Sequence, residues 1–309
     1  MREWQATKVD GLPQPAGLPA PRRVREWFSM ATSGGQRFDG QVVLITGASS
    51  GIGAALARKF ANEGAHTVLV ARRVERIEAL AAELTATGRR SAAVAGDVTR
   101  DGDLERAVDV ALKEFGRLDV AVANAGLLTT GRIHNLTLDD YRRQLETNLF
   151  GALRTVMAGL PALQETRGRL VLIGSLLGMI SAPGSTAYCM SKFALNGLSD
   201  GLCHELAPYG ISVTHVMSGF VDTEIYDKTT LRRPTQKWIQ LSADDAARQI
   251  VTAVYRRKRC LILPWPTKLA ILLQRHFPQV VYFAINRAFR KATRQREAEA
   301  AVQTGKTAT

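Results

Sequence analysis

Tyr188 and Lys192 stand four residues apart in the run AYCMSKFALNG, residues 187–197. On a helix that spacing places both side chains on one face. A phenol is a poor acid or base near neutrality, with an ordinary pKa of about 10. A nearby ammonium stabilises the phenolate, and a shift of about three units would need about 4 kcal/mol of differential interaction. A phenol tuned in this way is a general acid and base for alcohol–carbonyl interconversion. Y-x-x-x-K also recurs by chance on surface helices, so the context decides. Ser175 lies thirteen residues before Tyr188 in LIGSLLG, where its hydroxyl is placed to hold a substrate carbonyl. Asn148 sits among apolar neighbours in LETNLFGAL. Its amide is either a core group bonded to backbone or a link in a proton path.

These residues need a scaffold, and the hydrophobic pattern describes one. Six short apolar runs (41–46, 66–71, 91–96, 118–123, 169–174 and 211–217) read as strands. Their near-continuous apolar character suits a sheet buried on both faces. Segments such as GAALARKFANEG and RDGDLERAVDVALKEFG separate them, with apolar residues at three- and four-residue spacing. The alternation predicts an α/β fold: a doubly wound, mainly parallel sheet with helices on both faces. No internal repeat or linker divides it.

LITGASSGIGAALA follows the first strand and opens the first helix. Its Gly47, Gly51 and Gly53 allow a tight turn and a close backbone approach to a pyrophosphate, helped by the positive helix N-terminus. At the end of the second strand Ala71 stands where an acid would bind a ribose 2′-hydroxyl, and Arg72 and Arg73 follow it. Arginine there suits a 2′-phosphate. The expected cofactor is therefore NADP(H), with Arg72 as its main contact and NAD(H) as the alternative. Asp97 follows the third strand, and Asn124, Ala125 and Gly126 follow the fourth, at the edge where a dinucleotide would lie.

With these residues assembled, the chain resembles the short-chain dehydrogenase/reductase family over about residues 40–260. T-G-x-x-x-G-I-G occupies residues 46–53, N-A-G residues 124–126, and the Asn-Ser-Tyr-Lys tetrad Asn148, Ser175, Tyr188 and Lys192. The resemblance implies hydride transfer between a nicotinamide and a substrate carbon. Tyr188 would exchange the proton, while Lys192 would bind the nicotinamide ribose and tune Tyr188. Ser175 would orient the substrate oxygen, and Asn148 would help hold a relay water. It also implies cofactor contacts from Thr46, Gly47, Ser49, Ser50, Gly51, Ile52 and Gly53, then Asp97 and Val98, then Asn124, Ala125 and Gly126, and from Tyr188 and Lys192. Two positions depart from the family pattern. Ala123 replaces a common second asparagine, and Ser218-Gly219 replaces the usual Pro-Gly. Gly219, Val221 and Thr223 still match the cofactor-facing segment.

The 309 residues, 46% hydrophobic and 22% charged, can bury a full core, which excludes collagen-like and wholly disordered readings. Cys189, Cys203 and Cys260 have no metal or CxxC spacing and read as small buried side chains in a reducing compartment. No apolar run of signal-peptide length opens the chain, so a cytoplasmic placement is expected. The division expected is a flexible extension over 1–39, the catalytic domain over 40–263, a basic helical extension over 264–296 and a disordered tail over 297–309.

The net charge of +13 is concentrated in residues 256–296, which carry eleven Lys/Arg and no Asp/Glu. Val280, Val281, Ala284, Ile285, Ala288 and Phe289 would line one helix face there, with Arg287, Arg290 and Lys291 at its edge. That pattern suits peripheral contact with an anionic membrane. Cover for the substrate pocket and a homo-oligomer interface are the competing uses. A specific nucleic-acid partner is not expected, because no recognised binding fold accompanies the charge. The reaction expected is ketone–alcohol interconversion on an apolar or lipid-like substrate. Reduction of 3-oxoacyl groups on a carrier protein is the alternative within the class. A non-catalytic dinucleotide sensor or membrane-associated scaffold is the alternative outside it.

Overall fold

The computed structural model describes residues 36–226 and 240–306. The six expected runs form β1 (Val42–Thr46), β2 (His66–Ala71), β3 (Ser91–Ala95), β4 (Val120–Ala123), β5 (Arg169–Ile173) and β6 (Ser212–Ser218). Two short strands, β7 (Phe220–Asp222) and β8 (Gln240–Ser242), pair separately in parallel. β9 (Cys260–Leu263) adds a seventh strand to the main sheet, pairing parallel to β6. The sequence pattern misses it: four apolar residues between RRKR and a proline carry no periodicity.

The main sheet runs β3-β2-β1-β4-β5-β6-β9, all parallel. Strand order reverses between β1 and β4, which opens a crevice at the carboxyl edge where a ligand can enter. The helices are α1 (Gly51–Asn62), α2 (Val74–Ala86), α3 (Asp103–Phe115), α4 (Leu138–Leu145), α5 (Gly151–Thr166), α6 (Thr186–Glu205) and α7 (Ala243–Tyr255). Side chains alternate across the strands, so β1 sends Val43 and Ile45 to a core with α1, α2 and α7. Val42 and Leu44 go to a second core with α3, α5 and α6. Each fully buried aliphatic side chain contributes about 1.5–3 kcal/mol. The two cores therefore hold the crevice at β1 and β4 rigid.

Phe38 is fully buried, edge-on to Phe60 at 5.0 Å, so packing begins before Gly40. The rest of the expected N-terminal extension, residues 1–35, lies outside the described residues. At the other end, α8 (Trp265–His276) and α9 (Pro278–Lys306) form the basic extension. The tail expected to be disordered from 297 is helical through Lys306, because EAEAAVQ is rich in strong helix formers. Residues 307–309 lie outside the described residues. Among the cysteines only Cys189 is buried; Cys203 is half-buried and Cys260, on the edge strand, is exposed.

Candidate active site

The glycine loop takes its shape from β1 and β4. Thr46 Oγ1 donates to Val122 O (3.1 Å) and accepts from the N–H groups of Asn124 (3.1 Å) and Ala125 (3.2 Å). Asn124 Nδ2 donates to the carbonyls of Thr46 (2.9 Å) and Gly47 (3.2 Å). Gly47 and Gly51 lie in the left-handed region, at φ 67° and 56°. A Cβ on Gly53 would lie 2.3 Å from Gly47 O, so glycine alone permits this closeness. Ser50 precedes α1 without a side-chain cap bond. The first-turn N–H groups are thus available to an anion, and the loop leaves the close backbone approach that a pyrophosphate needs.

The adenosine end lies beyond β2. Arg72 is three-quarters exposed, with Nη1 3.7 Å from Asp97 Oδ2. Arg73 turns back over the loop: Nη2 donates to Ser49 Oγ (2.9 Å) and Ser50 Oγ (2.6 Å), and Nε to Ser49 Oγ (3.1 Å). Its Nη1 reaches Glu224 Oε2 at 2.9 Å, a contact that sequence spacing does not show. Asp97 Oδ1 accepts from the N–H (3.0 Å) and hydroxyl (2.8 Å) of Thr99. Burial pushes the Asp97 pKa up, but Thr99, Arg72 and Arg100 outweigh it and hold the carboxyl below its ordinary value. Asp97 is therefore a turn cap that also lines the cleft. Val98 is buried against Gly151, where a Cβ would meet Val98 Cγ2 at 2.5 Å.

At the chemical end, Tyr188 lies in the first turn of α6 and Lys192 one turn later. Lys192 Nζ is 5.7 Å from the Tyr188 ring centroid and donates to Ile173 O at 2.7 Å. Burial lowers the Lys192 pKa to about 8. Ser175 caps a single 3₁₀ turn (Leu176–Gly178), and its Oγ accepts from Leu177 N at 3.1 Å. Gly178 keeps this turn against α6: a Cβ there would come 2.7 Å from Lys192 O. His215 on β6 packs against Gly174, where a Cβ would meet Nε2 at 2.3 Å. Burial and then the Lys192 charge lower its pKa to about 4, so the imidazole is neutral at working pH.

Asn148 occupies a π turn (Glu146–Phe150) between α4 and α5, a widened geometry common at functional sites. Its Oδ1 accepts from Leu127 N (2.8 Å), while Nδ2 donates to Leu127 O (3.0 Å) and Ser191 Oγ (3.1 Å). Ser191 in turn donates to Tyr188 O at 2.7 Å. The backbone bonds that the first of the two readings calls for are present, beside the bond to Ser191. Ser218, in place of proline, donates to Gly174 O at 3.2 Å and ties the ends of β5 and β6 together beside Ser175. Gly219 donates to Leu263 O at 2.7 Å, and a Cβ there would lie 2.5 Å from Thr267 Oγ1.

One cleft gathers almost all the residues singled out by sequence. The loop residues Gly47, Ser49, Ser50, Gly51 and Ile52 share it with Arg72, Arg73, Asp97, Val98 and the 124–126 element. Ser175, Tyr188, Lys192, Gly219, Val221 and Thr223 line its other part. Thr46, Gly53 and Asn148 do not line it; their bonds and close contacts shape its wall. Glu224, Ser191 and His215 were not legible in the sequence, because each gains its place only through a contact across the fold; Ser218 was visible there only as a departure from proline.

Comparison with known proteins decides the family. Residues 41–233, more than half of the chain, match the family model described as short chain dehydrogenase. The chain belongs to the short-chain dehydrogenase/reductase family. It is 33% identical over 261 residues to the Hydroxysteroid 11-beta-dehydrogenase 1-like protein A of Xenopus laevis, covering 82% of this chain and 89% of that protein. A short chain dehydrogenase from Burkholderia cenocepacia J2315, solved with NADP, is 32% identical with a TM-score of 0.66. That alignment covers 73% of this dehydrogenase and 97% of the solved chain. A family member from Burkholderia phymatum, solved with NAD, is alike in fold: TM-score 0.72, 23% identity, covering 79% and 96% of the two chains. This dehydrogenase is accordingly a Rossmann-fold oxidoreductase with a nicotinamide dinucleotide site.

Proposed function

We propose that this dehydrogenase interconverts a ketone and a secondary alcohol with NADP(H), on an apolar or lipid-like substrate. The observation that carries the reading is Tyr188 and Lys192 on one face of α6, opening with Ser175 into the cleft that holds the glycine loop. The nicotinamide, when bound, supplies or accepts the hydride. Ser175 Oγ accepts from Leu177 N, which leaves its O–H to donate to a carbonyl oxygen. Tyr188 gives that oxygen its proton, and the Lys192 ammonium stabilises the phenolate left behind. Both Nδ2 hydrogens of Asn148 and one lone pair of its Oδ1 already serve Leu127 and Ser191. Its proposed share is therefore positional: it holds the loop after β4 and, through Ser191, the first turn of α6. Neutral His215 keeps a second positive charge away from Lys192.

Leu127 and Leu128 on the cleft wall support an apolar substrate. So does α9, which docks on the loop after β4. Arg132 lies over the Phe289 ring at 5.2 Å and donates to Thr293 Oγ1 at 3.0 Å. Turnover of ketones graded by apolar size tests the reading, with NADPH and NADH supplied separately. Preferential turnover of carrier-linked 3-oxoacyl substrates would favour the acyl-reductase alternative, and cofactor binding without turnover of either class the sensor.

For the cofactor, Arg72 is the main 2′-phosphate contact, seconded by Arg73 over Ser49. A charge-assisted bond of this kind is worth about 1.5–3 kcal/mol, or roughly 10- to 100-fold. Arg72→Ala should lower the NADPH-over-NADH ratio of kcat/KM by at least about tenfold. An unchanged ratio rejects the 2′-phosphate assignment.

The C-terminal helices are proposed to rest on an anionic membrane surface. Among the described residues no helix is long and apolar enough to cross a bilayer. The sequence-based face splits in the structure: Val281, Ile285 and Phe289 turn inward and are half-buried, while Val280, Ala284 and Ala288 are exposed, as are Tyr282 and Phe283 outside that face. Trp265, Leu272 and Phe277 on and beside α8 are exposed as well. A second copy docked through this face by a two-fold axis would bring like charges together. Anionic headgroups complement them, at about 1 kcal/mol per basic residue near the surface. The protein should co-sediment with phosphatidylserine-containing vesicles and not with phosphatidylcholine alone. Phe277→Asp with Phe283→Asp should lower that binding at least about fivefold; undiminished binding rejects the membrane reading.

A further inference from the structure

Besides Asp97, the dinucleotide cleft carries a second acid, Glu224, that neither the glycine loop nor the tetrad accounts for. Glu224 follows Thr223 and starts a 3₁₀ turn (Glu224–Tyr226) after β7. Its Oε2 accepts from Arg73 Nη1 at 2.9 Å, and both carboxylate oxygens accept from Arg76 Nη1, at 2.8 and 3.0 Å. Its Nε and Nη2 donate to Ser49 and Ser50. The guanidinium placed beside the expected 2′-phosphate is therefore already engaged by a carboxylate from the far side of the cleft. Ala71 leaves the end of β2 without an acid, and the tertiary fold brings one in from 151 residues beyond Arg73.

We propose that Glu224 is an internal competitor for the 2′-phosphate and sets the balance between NADP(H) and NAD(H). The inference rests on the NADP(H) reading above. A phosphate monoester carries close to two negative charges at neutral pH. It cannot share Arg73 with a carboxylate without repulsion, so binding must displace the Arg73–Glu224 bond. That displacement costs little, because both partners are about half exposed and such ion pairs are weak. A ligand with a 2′-hydroxyl makes no such demand, and the hydroxyl can donate to a carboxylate, as acids at strand ends do in NAD sites. Glu224 thus penalises the phosphorylated dinucleotide and spares the other. Among the described residues the charged partner of Arg72 is Asp97 rather than Glu224, at the longer distance of 3.7 Å.

The test uses the full chain and two nicotinamide-free probes, adenosine 2′,5′-bisphosphate and 5′-AMP, with dissociation constants from titration calorimetry. The unmodified protein should bind the bisphosphate more tightly than AMP. Glu224→Gln should tighten the bisphosphate about 3- to 10-fold and leave AMP within about twofold. The gain should shrink at high ionic strength, as expected for an exposed charge. Glu224→Asp, which retains the charge, should stay nearer the parent. A parent that prefers the bisphosphate while Glu224→Gln leaves it unchanged or weakened overturns this inference alone. A parent with no preference for the bisphosphate overturns the NADP(H) reading beneath it.

Discussion

Tyr188→Phe should lower the proposed ketone reduction by about 10²- to 10⁴-fold, the range expected for loss of a positioned proton donor. The ring remains, so its packing beside Lys192 at 5.7 Å and the first turn of α6 stay intact. The hydroxyl proposed to protonate the substrate oxygen is lost. Dinucleotide affinity should therefore hold within about twofold, because uniform binding is untouched. Ser175 cannot substitute: its hydroxyl is tethered to Leu177 N, and an aliphatic hydroxyl is a far weaker acid than a phenol. Single-turnover oxidation of bound NADPH separates the proton step from product release. Full turnover by Tyr188→Phe on a substrate that the parent reduces would remove Tyr188 from the chemistry.

Lys192→Met should abolish most activity and at the same time stabilise the empty protein. Lys192 is 5% exposed, and its Nζ has one hydrogen bond among those described, to Ile173 O. Burial brings its pKa from 10.5 to about 8, which corresponds to roughly 3 kcal/mol against the charged form. The folded value is the lower one. Below about pH 8 Lys192 is charged in both folded and unfolded chains, and the whole penalty for burying the charge is present. Between about pH 8 and 10.5 the unfolded chain binds more protons, so this group makes the fold more stable as pH rises. Methionine keeps the unbranched stem and removes the charge, but leaves Ile173 O without its donor, at about 1–3 kcal/mol. The expected net gain at pH 7 is up to about 2 kcal/mol, and it should vanish toward pH 10. Reduction should fall at least about 10²-fold, since the phenolate loses its counter-ion. For the parent, kcat/KM for reduction should decline above about pH 8, as the free enzyme loses the Lys192 proton. Urea unfolding of both proteins at pH 7 and pH 9.5 checks the linkage. A Lys192→Met variant less stable than the parent at pH 7, and equally so at pH 9.5, would refute it.

The doubly wound sheet and most of the cleft were legible in the chain before any folding was known. Both depend on local relations: near-continuous apolar strands, amphipathic helices between them, and glycines where backbone must approach a phosphate. Tyr188 and Lys192 are legible for the same reason, because four residues on a helix is a fixed geometry. What depends on distant partners emerged only in the folded molecule. Pairing with β6 recruited β9, which is too short and too closely flanked by charge to announce itself. Folding committed Asn148 to Leu127 and Ser191 and buried Lys192 against Ile173 O, which sets the lysine pKa. It also turned Val281, Ile285 and Phe289 inward while leaving Tyr282 and Phe283 exposed on the same helix. Across the cleft it joined Arg73 to Glu224. Propensity and periodicity act over a turn or a strand, whereas burial and charge pairing are set by which chain segments the sheet order brings together.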